Sequence, residues 1–266
     1  MRYRLITFAA LMALIFTACN NTSSKKSEIT IPHQTFTIEH PLAENAEGLD
    51  FEANIQLPVS DNDVDSKIRY SLLNKVCGNY YNGDTNVERA IENYYQKHTE
   101  TWKLSYENAK DSGMAINNWE ADKEIKPIAQ LGQMICYQST HYYYEGGAHG
   151  LTNTTYHVFD LNNAQELNDH SIYDFSNTTT EESLNTMLEE AFAERCAKDS
   201  LLANSKLGEP ILNNNFTISA DSITYLYNPY EIASYNIGNV QLSLSKKAVM
   251  PYLNTNSVLY QYWKTK

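Results

Sequence analysis

Two helical stripes stand back to back in this chain between stretches that alternate at period two, and that order limits the folds open to it. Val64, Ile68, Leu72, Leu73 and Val76 recur at helical intervals behind the capping candidates Ser60 and Asp61 and ahead of Gly78, which predicts a helix over 63–77. Turn chemistry at Asn82-Gly83-Asp84 precedes a second and longer stripe, from Val87 through Ile91, Tyr94, Tyr95, His98 and Trp102 to Ala109. Before them, Thr35 to Ile38 and Phe51 to Leu57 place apolar side chains on one face, as half-buried strands do; after them, Ile125 to Gln130 and Met134 to Tyr144 suit a pleated surface. The second half reads as a strand over 154–161, a helix marked by Leu184, Met187, Leu188, Ala191 and Phe192 behind a Thr179/Glu182 capping box, then strands at 216–220, 223–227 and 240–244 with a hairpin turn at Asp221-Ser222. Strands and helices come in clusters rather than in regular βαβ alternation, so the expected fold class is α+β, with two sub-domains, each a small, mostly antiparallel sheet packed with helices. Three glycines between 146 and 150 mark where they should meet.

Charge and the first residues set the compartment. A formal net charge of -12 argues against a protein that holds nucleic acid by neutralising phosphates. Arg2 and Arg4 precede a short apolar run, Leu5 to Ala18, that is too short to span a bilayer and ends in small residues, the anatomy of an export signal. Phe16-Thr17-Ala18-Cys19 resembles a bacterial lipobox, which predicts lipidation at Cys19 and a domain tethered to the membrane by acyl chains worth about 0.8 kcal/mol per buried methylene. The expected location is the cell envelope, with the anchor in the outer membrane and the domain in the periplasm or at the cell surface. Cys77, Cys136 and Cys196 are too few for a disulfide framework; Cys196, at helical spacing from Leu188 and Phe192, reads as a buried free thiol.

Motifs of common chemistry are missing. The chain has no GxSxG elbow, no phosphate loop and no dinucleotide fingerprint. His141, His149 and His157 recur every eight residues, but no HExxH or paired CxxC accompanies them, so satisfied or surface histidines are the expectation and neither a metal nor a cofactor is assigned. Tyrosine is the odd composition, with 20 residues, and part of it falls where a strand pattern breaks. Over 227–238 the chain turns at Asn228-Pro229 and re-enters a strand after Gly238. Pro229 fixes one dihedral and biases Asn228 away from helix, so a stiff loop should present Tyr230, Glu231 and Tyr235 at low entropic cost on binding. Tyrosine suits recognition because it offers large apolar area, few rotors and a hydroxyl.

Three segments in order, GGAHG at 146–150, TTYHVFDL at 154–161 and NFTISADSITYLYNPYEIASYNIG at 215–238, resemble the extracytoplasmic domain of unknown function shared by the lysozyme-binding anti-sigma factor RsiV and the peptidoglycan deacetylase PdaC. The region before it resembles the companion domain that precedes it in that family. After the signal at 1–18, the small polar residues at 19–29 read as a tether; the resemblance implies an N-terminal companion domain at 30–150 and an RsiV/PdaC-type domain at 151–254, with a tail at 255–266. It also implies a ligand-binding surface carried by Tyr227, Pro229, Tyr230, Glu231 and Tyr235, with Gly146, Gly147 and His149 in the other signature. No sigma-binding region, transmembrane helix or deacetylase domain is recognisable, so neither signalling nor deacetylation carries over. The expected protein is a lipid-anchored, non-catalytic binding module whose ligand is a lysozyme-like protein or a peptidoglycan fragment. The alternative is a wall-modifying enzyme with His149 and Glu145 as acid and base.

Overall fold

The computed structural model describes residues 29–113 and 117–266; the expected export signal at 1–18, the expected lipidation site Cys19 and most of the expected tether lie outside the described residues. Strands β1 (His33–His40) and β2 (Leu49–Pro58) pair antiparallel, and β2 buries Leu49, Phe51, Ala53, Ile55 and Leu57 at period two. Helix α1 (Asp63–Cys77) spans the residues its stripe predicts, but its cap is Asn62 rather than Ser60 or Asp61, the Asn62 amide oxygen accepting the Asp65 N–H at 2.8 Å. Helix α2 (Val87–Asp111) is capped in the same way by Asn86. The two helices carry the chain back, so that β3 (Trp119–Leu131) lies parallel to β2. That strand starts earlier than expected because Trp119 and Ala121 already alternate into the core, and its Pro127 adjoins a register shift to Ala129. A proline lacks the N–H a regular ladder would need, and irregular positions are where strands tolerate it.

Strands β4 (Met134–Tyr144), β5 (Leu151–Asp160) and β6 (Gln165–Glu166) complete a six-stranded sheet in chain order. Then follow α3 (Asp169–Ile172), α4 (Thr180–Lys198), α5 (Ser200–Asn204), and a three-stranded antiparallel sheet of β7 (Phe216–Ile218), β8 (Ser222–Tyr227) and β9 (Val240–Ser245), ahead of α6 (Lys246–Val249) and α7 (Val258–Lys264). The α+β reading with two sheet-and-helix sub-domains holds. The Thr179/Glu182 capping box does not form: Thr179 is already helical in φ and ψ, and its hydroxyl donates to the Asn177 side chain at 2.9 Å. The hairpin closes one residue earlier than expected, with the Ser219 N–H donating to the Ser222 carbonyl at 2.9 Å.

Two hydrophobic cores share β4 and β5. Ile135, Tyr137 and Phe159 join the core built with α1, α2 and β2, whereas Met134, Cys136, Tyr156 and Val158 join the core beneath β7, β8, β9 and α4. Successive side chains of a strand point to opposite faces, so one pair of strands serves both. The expected boundary between residues 150 and 151 therefore falls between two hydrogen-bonded neighbours of one sheet. Residues 255–266, expected as a tail, contain α7, whose Leu259 and Trp263 are fully buried and contribute about 2–3 kcal/mol each by burial. Cys77, Cys136 and Cys196 are unpaired, the first two buried and Cys196 only half-buried. No helix among the described residues is long and apolar enough to cross a membrane.

Candidate functional site

The loop after β8 is built from one hydrogen-bonded turn. The Glu231 N–H donates to the Asn228 carbonyl at 3.1 Å, with Pro229 second in the turn and Tyr230 third at φ 73°. That is the signature of a type II turn, whose third position needs a positive φ and ordinarily takes glycine or asparagine. A tyrosine there is strained by roughly 1–2 kcal/mol, and such strain survives only where neighbours hold it. The Tyr230 N–H donates to the Ala233 carbonyl at 2.9 Å, and the Glu231 carboxylate accepts the Asn228 N–H at 3.0 Å.

Asn228 fastens this loop to the six-stranded sheet. Its side-chain oxygen accepts the Thr154 N–H at 2.6 Å, and its amide donates to the Thr154 carbonyl at 3.1 Å. Asn215 does the same one step along, accepting from the Tyr156 N–H at 2.9 Å and donating to the Thr154 carbonyl at 2.9 Å. Beyond its short pairing with β6, the free edge of β5 is thus closed by two asparagine side chains in place of another strand. Neither residue was a sequence candidate; only the asparagine-rich run 213–215 and the Asn-Pro pair hinted at them.

The two signatures meet here. His149 stacks on Tyr235, ring centroids 4.0 Å apart, and Tyr230 stacks on Tyr235 at 5.8 Å. His149 Nδ1 donates to the Gly150 carbonyl at 2.9 Å, which leaves Nε2 as the acceptor facing the Tyr230 hydroxyl at 3.4 Å. The Tyr235 hydroxyl also donates to the Gly150 carbonyl, at 3.1 Å. Tyr230 and Tyr235 remain 51% and 38% exposed, unusual for large aromatic side chains. Glu231 is exposed and Pro229 half-buried. Tyr227 differs from its expected place: it is 2% exposed, its hydroxyl donates to the Ile211 carbonyl at 2.9 Å, and it supports the loop from beneath. Burial also raises its phenol pKa well above the ordinary value, with the charges of Asp169 and Glu231 adding to the shift. Gly146 and Gly147 take φ values of 89° and 115°, which only glycine adopts freely, and they turn the chain so that His149 reaches Tyr235.

Beside this stack lies a row of one charge. Through the strand register, Glu39, Glu52, Asp122, Tyr142 and Thr152 stand side by side across β1 to β5, with Asp50 beside Glu120 in a neighbouring row. Among the described residues these five carboxylates have no ion-pair partner. Burial and then the charges of Asp122, Glu39 and Asp50 raise the Glu52 pKa; burial and then Asp50 and Glu120 raise that of Asp122. Like charges directly opposite one another are destabilising, so this face is kept at a cost in stability. Tyr142 joins it to the stack: its hydroxyl donates to Glu120 at 3.2 Å, and its ring leaves no room for a Cβ at Gly150.

The acid and base offered by the enzymatic alternative point elsewhere. The Glu145 carboxylate lies 3.5 Å from His98, whereas His149 is engaged with Gly150, Tyr230 and Tyr235. Among the described residues no group of three or more metal-ligating side chains assembles; His141 faces the helical side of the sheet and His157 is bound to Glu166 at 2.7 Å.

Residues 174–247 match the family described as protein of unknown function DUF3298, and residues 45–152 match the family described as deacetylase PdaC. A DUF3298 family member from Bacteroides fragilis shares the fold at a TM-score of 0.77 and 20% identity, covering 89% of this chain and 98% of that one. A DUF3298 family protein from Pseudomonas aeruginosa aligns with a TM-score of 0.62 and 13% identity, covering 85% and 95%. No curated protein matches the sequence.

Proposed function

From the chain's homology to the DUF3298 and PdaC families over these two segments, we propose that it is a lipid-anchored, non-catalytic binding protein of the cell envelope. In this reading Cys19 carries the lipid, residues 30–150 and 151–254 act as companion and binding domains, and the described part projects from the membrane into the envelope space. The ligand is a basic, cell-wall-active protein such as a lysozyme, or a peptidoglycan-derived glycan, held by Tyr230, Tyr235, His149 and Glu231. Pro229, Gly146 and Gly147 shape that surface, and Tyr227 braces it.

The observation that carries the reading is the exposed stack of His149, Tyr235 and Tyr230 on a strained, doubly anchored loop beside an unpaired acidic row. A rigid aromatic surface loses little entropy on association, and the acidic row complements a basic partner, which chiefly raises the association rate. The test is capture of lysozyme by the immobilised chain lacking its signal, at low and high salt. Capture that weakens with salt and is lost in Tyr230→Ala and Tyr235→Ala supports the protein ligand; binding of purified peptidoglycan with the same losses supports the glycan. Capture of neither rules the proposal out, and release of modified muropeptides by the chain would replace it with an enzymatic role. Replacing Cys19 by Ser should move the protein from the membrane fraction to the soluble fraction; unchanged fractionation would remove the anchor.

A further inference from the structure

The face of the six-stranded sheet opposite the acidic row carries a different feature. Residues 123, 141 and 153 are register partners across β3, β4 and β5, and so are 125, 139 and 155 one step along, so Lys123, His141 and Asn153 form one row and Ile125, Ser139 and Thr155 the next. These rows floor a cavity of about 290 Å³ at the edge of the helical layer, walled by Lys75 and Val76 of α1. The acids nearby are already engaged: Glu166 binds Lys75 at 3.1 Å and His157 at 2.7 Å, and Glu124 binds Lys126 at 2.8 Å. Lys123 has no such partner. Among the described residues it makes no ion pair or hydrogen bond, and its ammonium rests 4.5 Å from the Tyr94 ring centroid. His141 Nε2 is buried without a hydrogen-bond partner, while Ser139 and Asn153 are half-buried and Thr155 is exposed.

A buried polar atom without a partner, as His141 Nε2 is, is costly, and half-buried groups beside it stay open to a ligand. Lys123, His141, Ser139, Asn153 and Thr155 line this cavity together with Lys75, Thr140, His157 and Glu124, and the lining carboxylate, Glu124, is paired with Lys126. We propose that this cavity is a binding site for a compact oxyanion, the carboxylate or phosphate group of a ligand, with Lys123 as the counter-charge and His141, Ser139, Asn153 and Thr155 as hydrogen-bond donors. Acceptor oxygens of such a group match this donor set, and charge-assisted hydrogen bonds are the strong ones. The electrostatics agree: burial lowers the Lys123 pKa to about 8, and burial with the charges of Lys123 and His98 lowers that of His141 to about 3. Both are displaced as groups lacking an anion would be. The site lies across the sheet from the tyrosine loop and stands independently of the function proposed for that loop.

The test uses the full chain, with inorganic phosphate and acetate as separate probes and chloride at matched ionic strength as the reference. Histidine ring resonances are followed by NMR, with His141 assigned from a His141→Gln spectrum, alongside the thermal midpoint. The expected result is a saturable shift of the His141 resonances and a raised midpoint with at least one anion, while the His149 resonances stay in place. Phosphate alone or acetate alone identifies which group the site prefers. Lys123→Met, which removes a half-buried charge without an ion-pair partner, should be at least as heat-stable as the wild type in chloride yet bind the anion at least about tenfold more weakly. Lys123→Arg, which keeps the charge, should still respond. The proposal is overturned if neither anion shifts His141 saturably in the wild type, or if Lys123→Met responds as the wild type does.

Discussion

Replacing Tyr230 by glycine and, separately, by alanine separates the backbone of the loop from its ring. Both variants lose the same aromatic contacts, the stack on Tyr235 and the approach to His149, so their difference reports the φ of 73° at that position. An alanine held there keeps the left-handed penalty of roughly 1–2 kcal/mol, whereas glycine escapes it at the expense of about 0.5–1 kcal/mol of extra chain entropy in the unfolded state. The glycine variant should therefore be the more stable of the two by about 0.5–1 kcal/mol, or about 1–4 °C in thermal midpoint for a chain of this size. Urea unfolding followed by fluorescence measures the difference directly, provided the slopes of the two curves agree. Equal stability, or a more stable alanine variant, would refute the idea that the turn forces Tyr230 into a conformation it does not favour. Ligand capture should fall in both, because a relaxed backbone without the ring has nothing to present.

Asn228→Ala leaves the Thr154 N–H without a partner, because Asn215 shares only the carbonyl; unfolding titrations should show a loss of about 1–3 kcal/mol. Gly150→Ala places a Cβ inside the Tyr142 ring's contact distance, so that ring must move; a crystal structure should show it displaced from Glu120, with about 1–3 kcal/mol of stability lost. Burial raises the Glu166 pKa, but the hydrogen bond from His157 and the charges of His157 and Lys75 outweigh it and hold the carboxyl below its ordinary value. Its contribution to stability is thus complete above the unfolded-state pKa and is lost as pH falls through the lower folded-state value. The stability gap between wild type and Glu166→Gln, measured by urea unfolding at successive pH values, should therefore narrow over that acidic interval; a gap independent of pH would contradict the assignment.

Much of the fold is legible in the chain because its signals are local. The stripe from Val64 to Val76 buries Ile68, Leu72, Leu73 and Val76 and leaves Val64 half-buried at its start, and Met134 to Tyr144 is a strand over its whole predicted length, since the period of apolar side chains depends on neighbours a few residues away. Caps and strand ends differ locally: the α1 cap moves to Asn62, Thr179 keeps its place without a capping bond, and β3 starts at Trp119, because competing side chains or distant burial decide. Of the candidate site, the gathering of His149, Tyr230 and Tyr235 follows from segments the sequence singles out, but the burial of Tyr227 and the anchoring amides of Asn215 and Asn228 do not, because each depends on a partner tens of residues away.

Local periodicity and charge determined the helices, most strands, the α+β class and the acidic character of the molecule. Only the tertiary structure decided that β4 and β5 serve two cores, that the acids of β1, β2 and β3 share a row, and that Lys123 and His141 share a cavity. The physical reason is register: alternation sorts side chains between the two faces of a strand, while the pairing of strands far apart in sequence selects which side chains on a face become neighbours.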